Sequence, residues 1–207
     1  VIDFLLIALF GYLLGSLPWG LIVGYVTTGR DIRESGSGKT GTTNVLRTAG
    51  RAAAVIVMAL DIAKGAVPAL VGRYLFDSNE VAAVGAGAAV VGHVWPVFAG
   101  FRGGRGVAST FGGILGLAPL ISLIFPLIGA LLVGVTRYVS FMSVVGVPLC
   151  AAIICALAIA GYVHPAYAWY SLFATVVVEY KHIPNIRRLL NGTEPRIGKG
   201  GDRPATG

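Results

Sequence analysis

The sequence predicts an all-α membrane protein: a compact bundle of about seven transmembrane helices, some short, with the N-terminus outside and the C-terminus cytoplasmic. Three observations carry this. Of 207 residues, 56% are hydrophobic and only 12% charged, against about 25% charged in an ordinary soluble domain. The apolar residues gather in long runs, and the mean hydropathy is +0.80. The 16 Lys and Arg concentrate in short polar segments between those runs. Such a chain cannot cover a water-facing surface, which excludes a disordered chain, a disulfide scaffold and a soluble nucleic-acid binder. The net charge of +7 is read as orienting charge on cytoplasmic loops, so no nucleic-acid partner is expected.

The first run, Ile2 to Val26, is too long for a signal-peptide core and lacks a basic segment before it, so it is read as a retained span. The second, Ala52 to Phe76, is interrupted by Asp61 and Lys64. Three residues apart, they share a helix face, which must turn inward because each would cost about 2.5–3.5 kcal/mol in lipid. A structural ion pair accounts for Asp61; Lys64 is free to reach a substrate anion instead. Val81 to Phe98 is the third run. The fourth, Val107 to Val135, is too long: one helix would extend roughly 43 Å across a hydrocarbon core of about 30 Å. Gly112, Gly113, Gly116, Pro119 and Pro126 predict a break near Gly116–Pro119 and two short spans. Phe141 to Gly161 and Val163 to Val178 complete the set. Cys150 and Cys155 lie in one apolar run and read as buried thiols.

Charge parity orients the bundle. Five Lys and Arg lie in Gly29–Arg51, two in Phe101–Gly106 and six in the tail, Lys199 and Arg203 among them. Seven spans place these segments and Arg137 on one face, whereas six place the tail opposite; five spans with a re-entrant segment have the same parity as seven. Residues 1–207 are read as a single integral membrane domain.

The first polar loop reads ESGSGKTGTTNVLRTAG, Glu34 to Gly50. Its GSGKT suggests a P-loop, but that pattern needs a glycine where Arg33 stands and a preceding buried strand. Gly36, Gly38 and Gly41 permit close backbone approach, Ser37 and Asn44 offer neutral hydrogen bonds, and Lys39 and Arg47 add charge. This composition suits an anion cradle, against the plainer alternative of a solvated connector. In GHVWPVFAGFRGGRGVAST, Gly92 to Thr110, two glycines sit between Arg102 and Arg105 just before a helix start. That is a second phosphate site or a tight turn with orienting charges. His93, an ionisable residue inside a span, is a functional candidate or a packing histidine. Thr136, Arg137, Ser140 and Ser143 form a small polar group at a span edge. In EYKHIPNIRRLLNGTE, Glu179 to Glu194, His182 and Asn185 share a face if helical, although Pro184 disturbs the turn. A basic juxtamembrane anchor explains Arg187 and Arg188 but not Glu179, His182 and Asn185. With no H-E-x-x-H, paired cysteine ligands or clustered carboxylates, no metal site is expected. The pieces converge on a cationic cytoplasmic face suited to a phosphorylated substrate beside an acyl chain.

Six segments together resemble the PlsY family of bacterial acyl-phosphate:glycerol-3-phosphate acyltransferases: GSLPWG (Gly15–Gly20), GSGKTGTTNVLR (Gly36–Arg47), DIAKG (Asp61–Gly65), GHVWPVFAGFRGGRGVAS (Gly92–Ser109), TRYVSFMS (Thr136–Ser143) and EYKHIPNIRRLLNGTE. They cover essentially the whole chain, in order. Lys39, Thr42, Arg105 and Ser109 depart from the commoner Asn, Ala, Lys and Thr of that family. The resemblance implies a seven-helix fold in the bacterial inner membrane, with the active face cytoplasmic. It implies acyl transfer from acyl phosphate to the 1-hydroxyl of glycerol 3-phosphate, giving lysophosphatidic acid and phosphate. The donor is already activated, so no cofactor is expected; a monomer is. The catalytic candidates are Ser37, as a hydrogen-bonding positioner, with His93, His182 and Asn185. The general base is His182, His93 or a substrate phosphate oxygen. The substrate-binding candidates are Lys39, Asn44, Arg47, Lys64, Gly103, Gly104, Arg105, Ser140, Ser143 and Arg188. The alternative is a small transporter or binder of a phosphorylated metabolite, whose polar groups should trace a path across the bilayer rather than gather on one face.

Overall fold

Pro18 divides the first apolar run. Helix α1 (Ile2–Gly15) ends before it and α2 (Trp19–Thr28) starts after it, because a proline restricts the preceding residue away from helical geometry. This is a computed structural model, and it describes residues 1–197; Lys199 and Arg203 lie outside the described residues. All regular elements among the described residues are helical. The first polar loop holds a short helix, α3 (Thr42–Thr48), followed by the long α4 (Gly50–Tyr74). Helix α5 (Asn79–Val94) is capped by the Ser78 hydroxyl, which accepts from the Val81 amide at 3.2 Å.

The fourth apolar run breaks as expected. Helix α6 (Val107–Leu117) stops at Ala118, Pro119 opens the short α7 (Pro119–Ser122), and α8 (Ile124–Thr136) follows. Arg137 closes α8 in the left-handed conformation, φ 61°. The next span is one helix in three pieces: α9 (Val139–Phe141), a π-helical turn Met142–Gly146, and α10 (Val147–Ile159). A wide turn of this kind re-aims the side chains on it, and Ser143 sits within it. Helix α11 (Pro165–Leu190) does not end with its apolar run. It passes through Pro184, which forfeits one backbone bond while His182 and Asn185 on either side stay buried.

Among the described residues, five stretches are long and apolar enough to cross a membrane: Ile2–Thr28, Gly50–Tyr74, Asn79–Ala99, Pro119–Thr136 and Val139–Ile159. Helix α6 is apolar but has only 11 residues, or about 16 Å. Helix α8 buries none of its side chains and presents Leu127 and Leu131 outward, as a lipid-facing helix must.

Small residues set the helix spacing, the usual means of close packing where lipid removes the hydrophobic drive between helices. A β-carbon at Gly15 on α1 would overlap the Ala89 carbonyl of α5, and one at Gly65 on α4 would overlap the Ser109 carbonyl of α6. Gly65→Ala is therefore expected to push α4 and α6 apart at a cost of about 1–3 kcal/mol. The check is thermal unfolding in detergent; an unchanged melting temperature would show that these two helices do not need their close approach.

Candidate active site

The first loop is held from within. The Asn44 side-chain oxygen accepts from the Ser37 amide at 2.7 Å, and its amide nitrogen donates to the carbonyls of Ile32 (2.8 Å) and Lys39 (2.9 Å). Gly36 and Gly38 take positive φ, 63° and 66°, so the chain can double back over Asn44. From below, Gly20 of α2 packs on the Thr40 carbonyl. Arg33 donates to the Ala99 carbonyl at 3.3 Å, tying this loop to the Val97–Ala99 turn just before the second glycine-rich segment.

Two cavities meet at these loops. A polar cleft of about 620 Å³ is lined by Ser37, Lys39, Arg47, Arg105, Ser140, Asn185, Arg188 and Glu194, among others. An apolar groove of about 630 Å³ runs from it between Met58, Phe111, Phe125, Pro126, Val133 and Met142. Ser37, Lys39, Thr43, Arg105 and Val139 line both, so the cavities join there. Arg105 is the partly buried cation at the junction. Burial pushes its guanidinium below the usual value; Glu194 opposes this, while Arg188 and Arg47 add to it.

Glu194 organises the far wall. Its carboxylate accepts from Asn185 Nδ2 at 2.7 Å and from Arg188 Nε at 2.6 Å. Burial alone would raise its pKa, but the polar contact of Ser140 and the bonds from Asn185 and Arg188 outweigh that and hold it below the usual carboxylate range. The residues just after it are tied down too: Arg196 donates to the Tyr138 hydroxyl at 2.8 Å and the Ile197 amide to the Arg137 carbonyl at 2.9 Å. His182, buried on α11 beyond the apolar run, has Nδ1 2.8 Å from the Val178 carbonyl. That contact places the ring proton on Nδ1 and leaves Nε2 as an acceptor. Burial first, and Arg105 as well, push this imidazole down to about 4, although the Val178 carbonyl and Glu194 oppose it.

Most of the expected site residues come together. Ser37, Lys39, Arg47, Arg105, Ser140, Asn185 and Arg188 line the cleft, and His93, Ser143 and His182 line the groove. Four of the expected residues, Lys64, Asn44, Gly103 and Gly104, are placed apart from this group or turned to other partners. Lys64 lines neither cavity: its ammonium lies 3.0 Å from Asp61 Oδ1 and donates to the Leu17 carbonyl at 3.0 Å, so it serves the helix packing. Asn44 borders the groove, but its amide is committed to the loop's own backbone. Gly103 and Gly104 are buried against His93 rather than lining a cavity, since a β-carbon on either would overlap that residue. Glu194 is a cleft-lining residue outside the sequence-derived set. As the lone carboxylate among the Lys and Arg of 180–197 it carried a detectable signal. Lys181, which also lines the cleft, was not singled out.

Residues 5–192 match the model of a family described as glycerol-3-phosphate acyltransferase. A glycerol-3-phosphate acyltransferase of Synechococcus sp. (strain CC9902) is 41% identical over 205 residues, 97% of this chain and 98% of that one. One of Brucella anthropi is 42% identical over 194 residues, 93% and 92% of the two chains. Among solved structures, the crystal structure of PlsY (YgiH), an integral membrane glycerol 3-phosphate acyltransferase in its glycerol 3-phosphate form, superposes with a TM-score of 0.86. It is 36% identical and the match covers 94% of this chain and 96% of that one. The lysophosphatidic acid form of the same protein gives 0.83 at 34% identity, with coverage of 94% and 95%.

Proposed function

Because the chain belongs to the glycerol-3-phosphate acyltransferase family, an enzyme family of phospholipid biosynthesis, we propose that its acyl donor is acyl phosphate. The transfer is to the 1-hydroxyl of glycerol 3-phosphate and yields lysophosphatidic acid and inorganic phosphate. The observation that carries this reading is the junction of a cationic cleft with an apolar groove at Ser37, Lys39 and Arg105. An acyl phosphate has that form: a hydrocarbon tail ending in a phosphate. With its tail in the groove, its phosphate falls beside Arg105. Glycerol 3-phosphate occupies the cleft, its phosphate toward Arg47 and Arg188.

The hydroxyl oxygen forms a bond to the donor's carbonyl carbon, and the bond from that carbon to the bridging phosphate oxygen breaks, releasing phosphate. Holding both reactants in one site removes most of the entropic cost of bringing them together. Ser37, on the wall shared by cleft and groove, offers its hydroxyl to the carbonyl, where negative charge develops. The hydroxyl proton goes to a substrate phosphate oxygen or to His182 Nε2. His182 Nδ1 is committed to the Val178 carbonyl, so its Nε2 is the atom that can meet a substrate hydroxyl or phosphate.

The longer apolar stretches, counted with α6 and α11, make seven crossings in a single membrane domain with its N-terminus outside. The Lys- and Arg-rich segments that carry the cleft then lie on the cytoplasmic face of the bacterial inner membrane.

The test is a reaction of purified protein in detergent with palmitoyl phosphate and glycerol 3-phosphate, without nucleotide or added metal. Lysophosphatidic acid and inorganic phosphate are expected in equal amounts. Product formed only from acyl-coenzyme A would overturn the donor assignment.

A further inference from the structure

We infer that Asp61 and His93 are positioning residues that hold the Arg105 loop in its phosphate-binding shape, and that His93 is not a proton-transfer catalyst. The inference rests on the assignment of Arg105 to a substrate phosphate.

Three ionisable side chains from two helices meet inside the bundle. Asp61 Oδ1 lies 3.0 Å from Lys64 Nζ and 3.4 Å from His93 Nδ1. All three residues are buried, with 1%, 4% and 5% exposure respectively. Such a cluster is expensive to bury and is poorly explained as a source of stability, because well-packed apolar residues serve at least as well. Its position suggests what it supports.

The segment Gly103–Ser109 rests on this cluster at both ends. At its start, the Gly104 amide donates to the His93 carbonyl at 3.2 Å, and the Gly104 backbone packs so closely on His93 Nε2 that a β-carbon would overlap it. At its end, the Ser109 hydroxyl donates to the Asp61 backbone carbonyl at 3.1 Å. Between the two anchors the chain turns through Gly106, φ 91°, into α6 and projects Arg105 to the junction of cleft and groove. The ring of His93 is thus a platform under the loop, with its other nitrogen beside the Asp61 carboxylate that Lys64 holds in place. Its Nε2 faces the loop backbone, which leaves that atom poorly placed to take a proton from a hydroxyl in the cleft.

A residue that acts through Arg105 has a signature that general destabilisation lacks. His93→Gln, Arg105→Ala and the double variant are purified, their melting temperatures recorded in detergent, and kcat and KM measured with each substrate varied. His93→Gln is expected to lower kcat/KM about tenfold when Arg105 is present and by less than about twofold when it is already alanine, since coupled sites are not additive. Gly104→Ala, which displaces the loop from the ring without touching the buried charges, should show the same loss and the same coupling, so the test does not depend on one variant folding. Losses that multiply in the double variants, or full activity in folded His93→Gln and Gly104→Ala, would overturn the inference. No effect of Arg105→Ala alone would remove the phosphate assignment and this inference with it. Strong impairment by Arg105→Ala without coupling would remove only the positioning role.

Discussion

Arg105→Ala is expected to cost about ten- to a hundred-fold in kcat/KM while the bundle still assembles. The size follows from losing a charge-assisted hydrogen bond to phosphate, about 1.5–3 kcal/mol. Assembly survives because Arg105 projects from a loop into the two cavities, and Arg102, Arg137 and Arg187 remain among the basic residues near the same face. Its partial burial, with Arg188 and Arg47 close enough to oppose its charge, marks a site that gains when an anion arrives. Arg105→Lys should be milder, since lysine keeps the charge but loses the planar fork that grips two phosphate oxygens. Steady-state kinetics with each substrate varied in turn would show the larger KM change for the acyl donor, whose phosphate lies at the junction. Near-normal constants in folded Arg105→Ala would reduce this arginine to an orienting charge.

Glu194→Ala should weaken both stability and activity. It leaves Asn185 Nδ2 and Arg188 Nε without the acceptor they share, and it removes the carboxylate whose charge supports Arg105. The Arg188 side chain is 40% exposed, so that ion pair contributes less than about 1 kcal/mol. The more deeply buried bond to Asn185 accounts for most of an expected loss of about 1–2 kcal/mol. Glu194→Gln, which retains an acceptor for Asn185, should lose less. The pH dependence has a definite sign. A carboxyl whose pKa is depressed on folding contributes fully above its ordinary value of 4.5 and loses that contribution as pH falls through the lower folded value. The native protein should therefore lose stability below about pH 4.5 more steeply than Glu194→Ala. Melting curves in detergent at neutral and acid pH measure this, and superimposable curves for the two proteins would refute the role given to Glu194.

Much of the architecture was legible from residues alone. The glycines and Pro119 placed the break in the overlong fourth run, found at Ala118. The cost of charge in lipid required Asp61 and Lys64 to turn inward, and they do. The glycine-rich loops and their arginines marked the polar face, because glycine, hydroxyl and guanidinium groups in a chain this apolar have few other uses. Pro18 breaks a run that is apolar throughout, and Pro184 is compatible with a continuous helix.

The assignment of individual side chains was a matter for the tertiary structure. Asn44 and Ser37 are both plausible phosphate contacts by composition, yet one is consumed in bonding the other's amide, seven residues away. Lys64 and Arg105 are both cations near glycines, but one is sealed against Asp61 and the other opens into two cavities. Local pattern reports which groups a segment offers. It does not report which of them remain available, because that depends on distances between helices remote in sequence, and those distances are set by residues such as Gly15 and Gly65 that carry no chemistry of their own.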